Sequence, residues 1–278
     1  MTTVEFILIT NDTELARYAQ DCGVDRVMVD LEYLGKKERQ GHLDTVISNH
    51  SLQDVSKVRN VLHSSKLQVR VNPIHKGSEK EINEVLSRGA EIVMLPMFKT
   101  CHEVETFLSI INGRAITCLL LETSQALVRI DDILQIEGID EVYIGLNDLH
   151  LSMGLDFMFE LLSGGIVEYI ATKINKKGIR FGFGGITRFG KGVVDSHLVL
   201  SEHYRLGSQV VILSRDFHGK ARSLEDLKIQ LNLEDEIKKI RSYVSDLSDL
   251  SETNLLCNSK RISHIVSEYI WNKDNKTL

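Results

Sequence analysis

Four apolar runs of this chain end in polar side chains suited to binding metal ions and anions. One run ends in Val29-Asp30-Leu31-Glu32, and a second carries Arg70 and Asn72 in Val69-Arg70-Val71-Asn72-Pro73. A third ends in Leu120-Leu121-Glu122-Thr123 and a fourth in Gly145-Leu146-Asn147-Asp148. Carboxylate oxygens are hard ligands that suit Mg²⁺, whose remaining positions go to water and a chelating substrate. Glu122 and Asp148 come from consecutive runs, and neighbouring strands lie ~4.8 Å apart, so the two can share one divalent cation. The same carboxylates can instead stabilise helix N-termini. Arg70, inside an apolar run, needs a partner for its charge. Its guanidinium can grip a carboxylate or 2-oxo acid in bidentate fashion, or pair with Asp30 or Glu32 of the neighbouring strand. Asp30 and Glu32 are two residues apart and share a face, where they can orient Arg70 or a metal's water.

Those residues need a frame that brings strand ends together. The apolar runs are Val4–Thr10, Arg26–Glu32, Gln68–Asn72, Ile92–Pro96, Ala115–Thr123, Glu141–Leu146, Arg180–Gly185 and Gln209–Ser214. Their near-continuous apolar character predicts strands covered on both faces, as in a parallel sheet. Helical patterns lie between them: Glu14–Cys22, a segment from Ser51 through His63, Lys80–Arg88, His102–Ile111, Gln125–Ile136, Val167–Lys177 and Asp195–Leu206. Most stop at a glycine, the expected C-cap. Eight strands alternating with helices predict an α/β fold, a (β/α)8 TIM barrel with a C-terminal helical extension. An open doubly wound sheet is the runner-up, but no G-x-G-x-x-G follows the first run. Gly182-Phe183-Gly184-Gly185 fits either tight packing or a backbone approaching a ligand. The domain reading is a barrel over residues 1–218 and a helical extension over 219–278. Beyond Gly219 there is neither glycine nor proline, and Leu224, Leu227 and Leu231 recur at helical spacing. Two or three helices, broken near Ser245–Asn258, are expected there. They form the last barrel helix plus an appendage, or an arm packed on another subunit.

Composition narrows the partners. The 278 residues are 42% hydrophobic and carry a net charge of −6, which argues against a nucleic-acid backbone binder. The pairs Lys36-Lys37, Lys176-Lys177 and Lys238-Lys239 read as solvated faces. None of the four cysteines forms a C-x-x-C pair, so neither a zinc knuckle nor a thioredoxin motif is present. No run approaches the ~18 apolar residues of a membrane span, and the first residues lack a basic n-region followed by an apolar stretch, with Glu5 interrupting the first run. The expectation is a cytoplasmic protein with a small-molecule partner and neither nucleic acid nor membrane. Only two prolines occur, Pro73 and Pro96. Each directly follows a strand candidate and marks its exit into a loop.

In their order and spacing, Val27-Met28-Val29-Asp30-Leu31-Glu32, Val69-Arg70-Val71-Asn72-Pro73, Leu120-Leu121-Glu122-Thr123 and Tyr143-Ile144-Gly145-Leu146-Asn147-Asp148-Leu149 resemble the HpcH/HpaI aldolase and citrate lyase family. Ile92-Val93-Met94-Leu95-Pro96-Met97 and Ser152-Met153-Gly154 extend the resemblance, which covers roughly residues 1 to 215. The resemblance implies Mg²⁺ or Mn²⁺ on Glu122 and Asp148, with Arg70 at the 2-oxo acid or enolate oxygen and Asp30 and Glu32 supporting catalysis. Asn72, Pro96, Met97, Gly145 and Asn147 would join Arg70 in binding substrate. The implied activity is cleavage or formation of a C–C bond next to the carbonyl of a 2-oxo acid or acyl-CoA-like substrate, through a metal-stabilised enolate. The implied assembly is a homo-oligomer. One departure stands out: Tyr33 occupies the place of the aldolase branch's proton-transferring histidine. A tyrosine with a pKa near 10 is a poor base at neutral pH. His42, His75 and His150 are its substitutes or ordinary surface histidines. The polar stretch Gly35–His42 is an altered active-site loop or a solvated one. The alternatives are a barrel that binds a 2-oxo acid without turnover, and a phosphoenolpyruvate-type mutase or hydrolase.

Overall fold

The structure, a computed structural model, describes residues 4–35, 50–218 and 224–275. His42, the Lys36-Lys37 pair and most of the Gly35–His42 stretch lie outside the described residues. Eight strands, β1 (Glu5–Ile9), β2 (Arg26–Asp30), β3 (Lys66–Arg70), β4 (Ile92–Leu95), β5 (Ile116–Leu121), β6 (Glu141–Ile144), β7 (Arg180–Ile186) and β8 (Val210–Leu213), close into a barrel in sequence order. Every pairing is parallel, and closure sets Glu5 opposite Val210. This is the predicted (β/α)8 barrel. All five residues of β2 and all four of β4 are buried, because helices cover one face and the barrel interior fills the other.

The described helices are α1 (Thr13–Asp21), α2 (Leu52–Val61), α3 (Ser78–Ser87), α4 (Cys101–Ile111), α5 (Ser124–Val128), α6 (Ile130–Ile133), α7 (Leu146–Ser152), α8 (Glu160–Ser163), α9 (Ile166–Lys176), α10 (Ser196–Leu206), α11 (Leu224–Gln230), α12 (Leu233–Asp246) and α13 (Glu252–Asp274). Local chemistry sets their starts. Asp12 accepts two backbone N–H bonds to open α1, and capping boxes open α2 at Ser51/Asp54 and α4 at Thr100/Glu103. The single helix expected over Gln125–Ile136 is divided into α5 and α6 at Arg129. Helices this short bury too few turns to print a periodic pattern.

Ile7, Met28, Ile92, Met94, Cys118, Leu120, Tyr143 and Val210 fill the barrel interior. Below them, at the strands' N-terminal ends, lies a buried ionic layer. Arg26 donates to both carboxylate oxygens of Glu141 at 2.8 Å, to Glu5 at 2.6 Å and to Gln68 at 3.3 Å. Arg180 adds a contact of 3.2 Å to Glu5. The layer plugs the barrel floor and leaves the opposite end for chemistry. Tight packing accounts for Gly182: a Cβ there would meet Val210 O at 2.3 Å and the Tyr143 ring at 2.7 Å.

Beyond residue 218, α12 closes the helical ring. Arg241 donates to Gly23 O and to Asp25, and Ile237 packs beside Gly23. α13 folds back over α10 and α8 of the same chain, where Asn258 donates to Ser201 and Tyr269 stacks on Phe157. Among the described residues no helix is long and apolar enough to cross a membrane.

Candidate active site

The polar residues singled out from the sequence gather at the C-terminal mouth of the barrel. Asp30 and Arg70 are the last residues of β2 and β3, paired directly in the β2–β3 register. Arg70 donates from Nε and Nη2 to the two oxygens of Asp30 at 2.8 and 2.7 Å, and lies 3.5 Å from Glu32. Both acids are buried, while the Arg70 side chain keeps 16% exposure toward the mouth. The ion pair and the ligand-facing role foreseen for Arg70 are therefore compatible. Asp30 orients the guanidinium, and its edge remains at the cavity.

Glu122 follows β5 and is buried, with its Oε1 accepting the Met97 N–H at 3.1 Å. That N–H reaches it because Met97 adopts a left-handed φ of 55°, uncommon for a residue with a Cβ. Gly145, at the end of β6, permits the approach from the other side: a Cβ there would stand 2.8 Å from Glu122 Oε2. Asp148 lies in the first turn of α7, directly after Gly145. Burial, followed by the negative charges of Asp148 and Glu32, pushes the Glu122 carboxyl well above the usual carboxylate range, and Arg70 opposes them. A carboxyl buried among acids is accommodated by a proton or by a cation. Glu122 and Asp148 thus form a two-carboxylate donor set that fits a hard divalent ion. Among the described residues no group of three or more His, Cys, Asp or Glu surrounds one point, so water and substrate would supply the other ligands.

Two cavities adjoin these residues. The larger, about 770 Å³, is lined by Asp30, Arg70, Asn147 and Asp148, and its walls include Thr187 and Arg215 from the β7 and β8 ends. The smaller, about 500 Å³, is lined by Tyr33, Asn72, His75 and Glu81 among others. His50 lines both. Four residues foreseen in the substrate pocket lie outside the lining of the larger cavity. Asn72 belongs to the smaller one, accepts the Tyr33 and Leu34 N–H groups and donates to Glu81. Met97 and Gly145 stand against Glu122 and shape its position, and Pro96 directly precedes Met97. Tyr33 is 63% exposed and faces the smaller cavity only. His75 bonds Pro73 O and Ser78, and His150 is buried with Nδ1 on Leu146 O, so neither lines the larger cavity.

Sequence reasoning missed Asn11, His50, Thr187 and Ser214, all of which line the larger cavity. Asn11, Thr187 and Ser214 follow the ends of β1, β7 and β8, so the rule applied to four strands would have found them on three more. Gly185, from the glycine cluster, also lines this cavity. His50 gives no such signal, since it lies just before α2.

A barrel with acids and an arginine at its C-terminal mouth places the chain among enzyme-like (β/α)8 proteins, and comparison identifies the family. The HpcH/HpaI aldolase/citrate lyase profile matches residues 5–162, more than half of the chain, which belongs to that family. One relative is the 2-keto-3-deoxy-L-rhamnonate aldolase of Escherichia coli O17:K52:H18, 25% identical over 179 residues, or 53% of this chain and 61% of that protein. The chain thus spans about three fifths of this relative's length. Two solved structures share the fold. An HpcH/HpaI aldolase from Desulfitobacterium hafniense DCB-2 superimposes with a TM-score of 0.59 at 15% identity, over 77% of this chain and 86% of that one. An HpcH/HpaI aldolase/citrate lyase family protein from Burkholderia cenocepacia J2315 gives 0.62 at 12% identity, over 86% and 95%.

Proposed function

We propose that the chain is a carbon–carbon lyase that makes or breaks the bond next to the carbonyl of a 2-oxo acid or acyl-CoA-like substrate. Mg²⁺ or Mn²⁺ on Glu122 and Asp148 would be its cofactor. The observation that carries this reading is the buried Glu122 carboxyl, pressed by Asp148 and set at the same mouth as Arg70. When bound, a divalent cation supplies Lewis-acid polarisation of the substrate's oxygens. The chain's own groups do the rest. Asp30 holds Arg70 so that a preorganised guanidinium meets the oxygen on which enolate charge develops. Asn147, beside Asp148 on α7, offers an amide to the bound acid. Phe157, Phe159, Val193 and Val194 give the same cavity an apolar wall, which would take the substrate's second half and exclude water from the enolate. Four free cysteines suit a reducing compartment such as the cytoplasm.

Exchange of pyruvate methyl protons into D₂O, followed by NMR with added Mg²⁺ or Mn²⁺, tests the reading. Metal-dependent exchange is expected, and none with any 2-oxo acid tried would contradict it. Tyr33, exposed and outside the larger cavity, favours one second reading, a barrel that binds the acid without turnover. That reading expects thermal stabilisation by the acid and no exchange. Gly145→Ala should separate metal binding from folding. Its Cβ would displace the Glu122 carboxylate, so Mn²⁺ affinity should fall by about tenfold or more, while the circular dichroism spectrum is unchanged.

A further inference from the structure

Much of the polar lining of the larger cavity and much of its apolar lining come from different parts of the chain. Asn11, Asp30, Arg70, Thr187 and Ser214 stand at or just beyond strand ends. Phe157, Met158, Phe159, Val193 and Val194 come instead from two connections, between α7 and α8 and between β7 and α10. Both connections are tied down. In the first, the N–H groups of Asp156 and Phe157 donate to Glu160 Oε1 at 2.8 and 2.7 Å, and Lys273 of α13 reaches Asp156 at 2.5 Å. Tyr269 of α13 stacks on the Phe157 ring with centroids 4.2 Å apart, and Phe159 meets that ring edge-on at 5.3 Å. In the second, the Thr187 N–H donates to Ser196 Oγ and the Thr187 hydroxyl to the Lys191 carbonyl. Val194 is buried there beside a half-exposed Val193. An apolar wall braced in this way takes up an apolar group without first having to order itself.

We propose that the second reactant of this site is an aldehyde carrying an alkyl or aryl group, which the wall receives while the 2-oxo acid lies at Arg70. This rests on the lyase reading and names the substrate class within it. In the synthetic direction the methyl carbon of pyruvate, having given a proton to water, attacks the aldehyde carbon. One C–C bond forms, the carbonyl electron pair moves to its oxygen, and that oxygen takes a proton back from water. The product is a 4-hydroxy-2-oxo acid, nothing is oxidised or reduced, and cleavage is the reverse. Hydroxyl groups on the second reactant would lie unpaired against Phe and Val side chains, at a cost in affinity. Arg215 and His218 also line the cavity, and a chain ending in a carboxylate is the rival they suggest. Burial, and then the charge of Arg215, hold the His218 pKa below its usual value, so this imidazole offers such a carboxylate no charge at pH 7.5.

Binding of product analogues that do not react tests the proposal. 2-Oxo-4-phenylbutanoate, 5-hydroxy-2-oxopentanoate and 2-oxoglutarate share the 2-oxo acid end and differ in the group that would meet the wall. In titration calorimetry with Mg²⁺ the phenyl compound should bind about tenfold or more tightly than either of the others, since one methylene in an apolar pocket is already worth about tenfold. Val193→Asp should cut that preference by about tenfold. Tyr269→Ala, which removes the brace behind Phe157, should cut it severalfold, and Tyr269→Phe, which keeps the stack, should retain it. Equal affinities for the three acids, a preference for 2-oxoglutarate, or an unaltered preference in Val193→Asp overturns the proposal. Should a variant fail to fold, the wild-type series still decides. A wild-type protein without pyruvate exchange overturns the lyase reading and this proposal with it, whereas normal exchange with no preference for the phenyl compound overturns this proposal alone.

Discussion

Glu122→Gln and Asp148→Asn should each reduce metal-dependent exchange of pyruvate methyl protons by about 10³-fold or more. The expectation follows from the site's charge balance. Glu122 is buried, and Asp148 and Glu32 add negative charge around it, with Arg70 as the opposing cation. On the proposed reading a divalent ion would neutralise that excess and be worth several kcal/mol to a developing enolate, and every 1.36 kcal/mol is tenfold in rate. Each substitution would remove one of the two proposed charged ligands while conserving shape. For the same reason neither variant should be less stable than the wild type in the absence of metal. Removing a carboxylate from an acidic pair with one buried member relieves repulsion, so the metal-free midpoint of thermal unfolding should be equal or higher. Unchanged exchange in both variants would dissociate the pair from catalysis.

The largest effect on stability is expected at the opposite end of the barrel. Arg26→Ala leaves Glu141 buried without its bidentate partner and removes the main countercharge of Glu5. Breaking a buried pair from one side costs about 3–5 kcal/mol. In a chain of this size that lowers the unfolding midpoint by roughly 10 °C or more, measurable by calorimetry. Arg26→Met combined with Glu141→Leu should recover much of the loss, since replacing both charges by apolar groups leaves neither uncompensated. The layer lies far from the mouth, so the folded fraction of either variant should keep its catalytic rate.

Much of this arrangement was legible in the residues. Gly23, Gly89 and Gly207 stop their helices as a C-cap glycine should, each with positive φ. The eight apolar runs became eight strands because both faces of a parallel barrel are dry. Asp30, Arg70, Glu122 and Asp148 could be placed at one mouth because a (β/α)8 fold puts all strand C-termini on the same side. Arg26, Glu141 and Arg180 head three of the strand runs, yet their union into one floor depends on closure of the barrel, which no local pattern states. The contacts of Met97 and Gly145 with Glu122 were hidden for a related reason. Their neighbourhood in sequence is the loop, but what they touch is Glu122, which stands at the end of β5 between their own strands β4 and β6. His50 lay furthest from view, because its link to Asp30 spans 20 residues and belongs to no periodic element.

The central claim, that Glu122 and Asp148 hold one divalent ion to which a 2-oxo acid is presented beside Arg70, is tested most directly by a crystal structure with Mn²⁺ and pyruvate. Anomalous scattering would locate the ion without assumption. The account predicts a single manganese peak bridging Glu122 and Asp148, with the carboxylate and keto oxygens of pyruvate on the ion and its enolisable methyl in the larger cavity. Manganese absent from that pair, or pyruvate bound elsewhere, would contradict it.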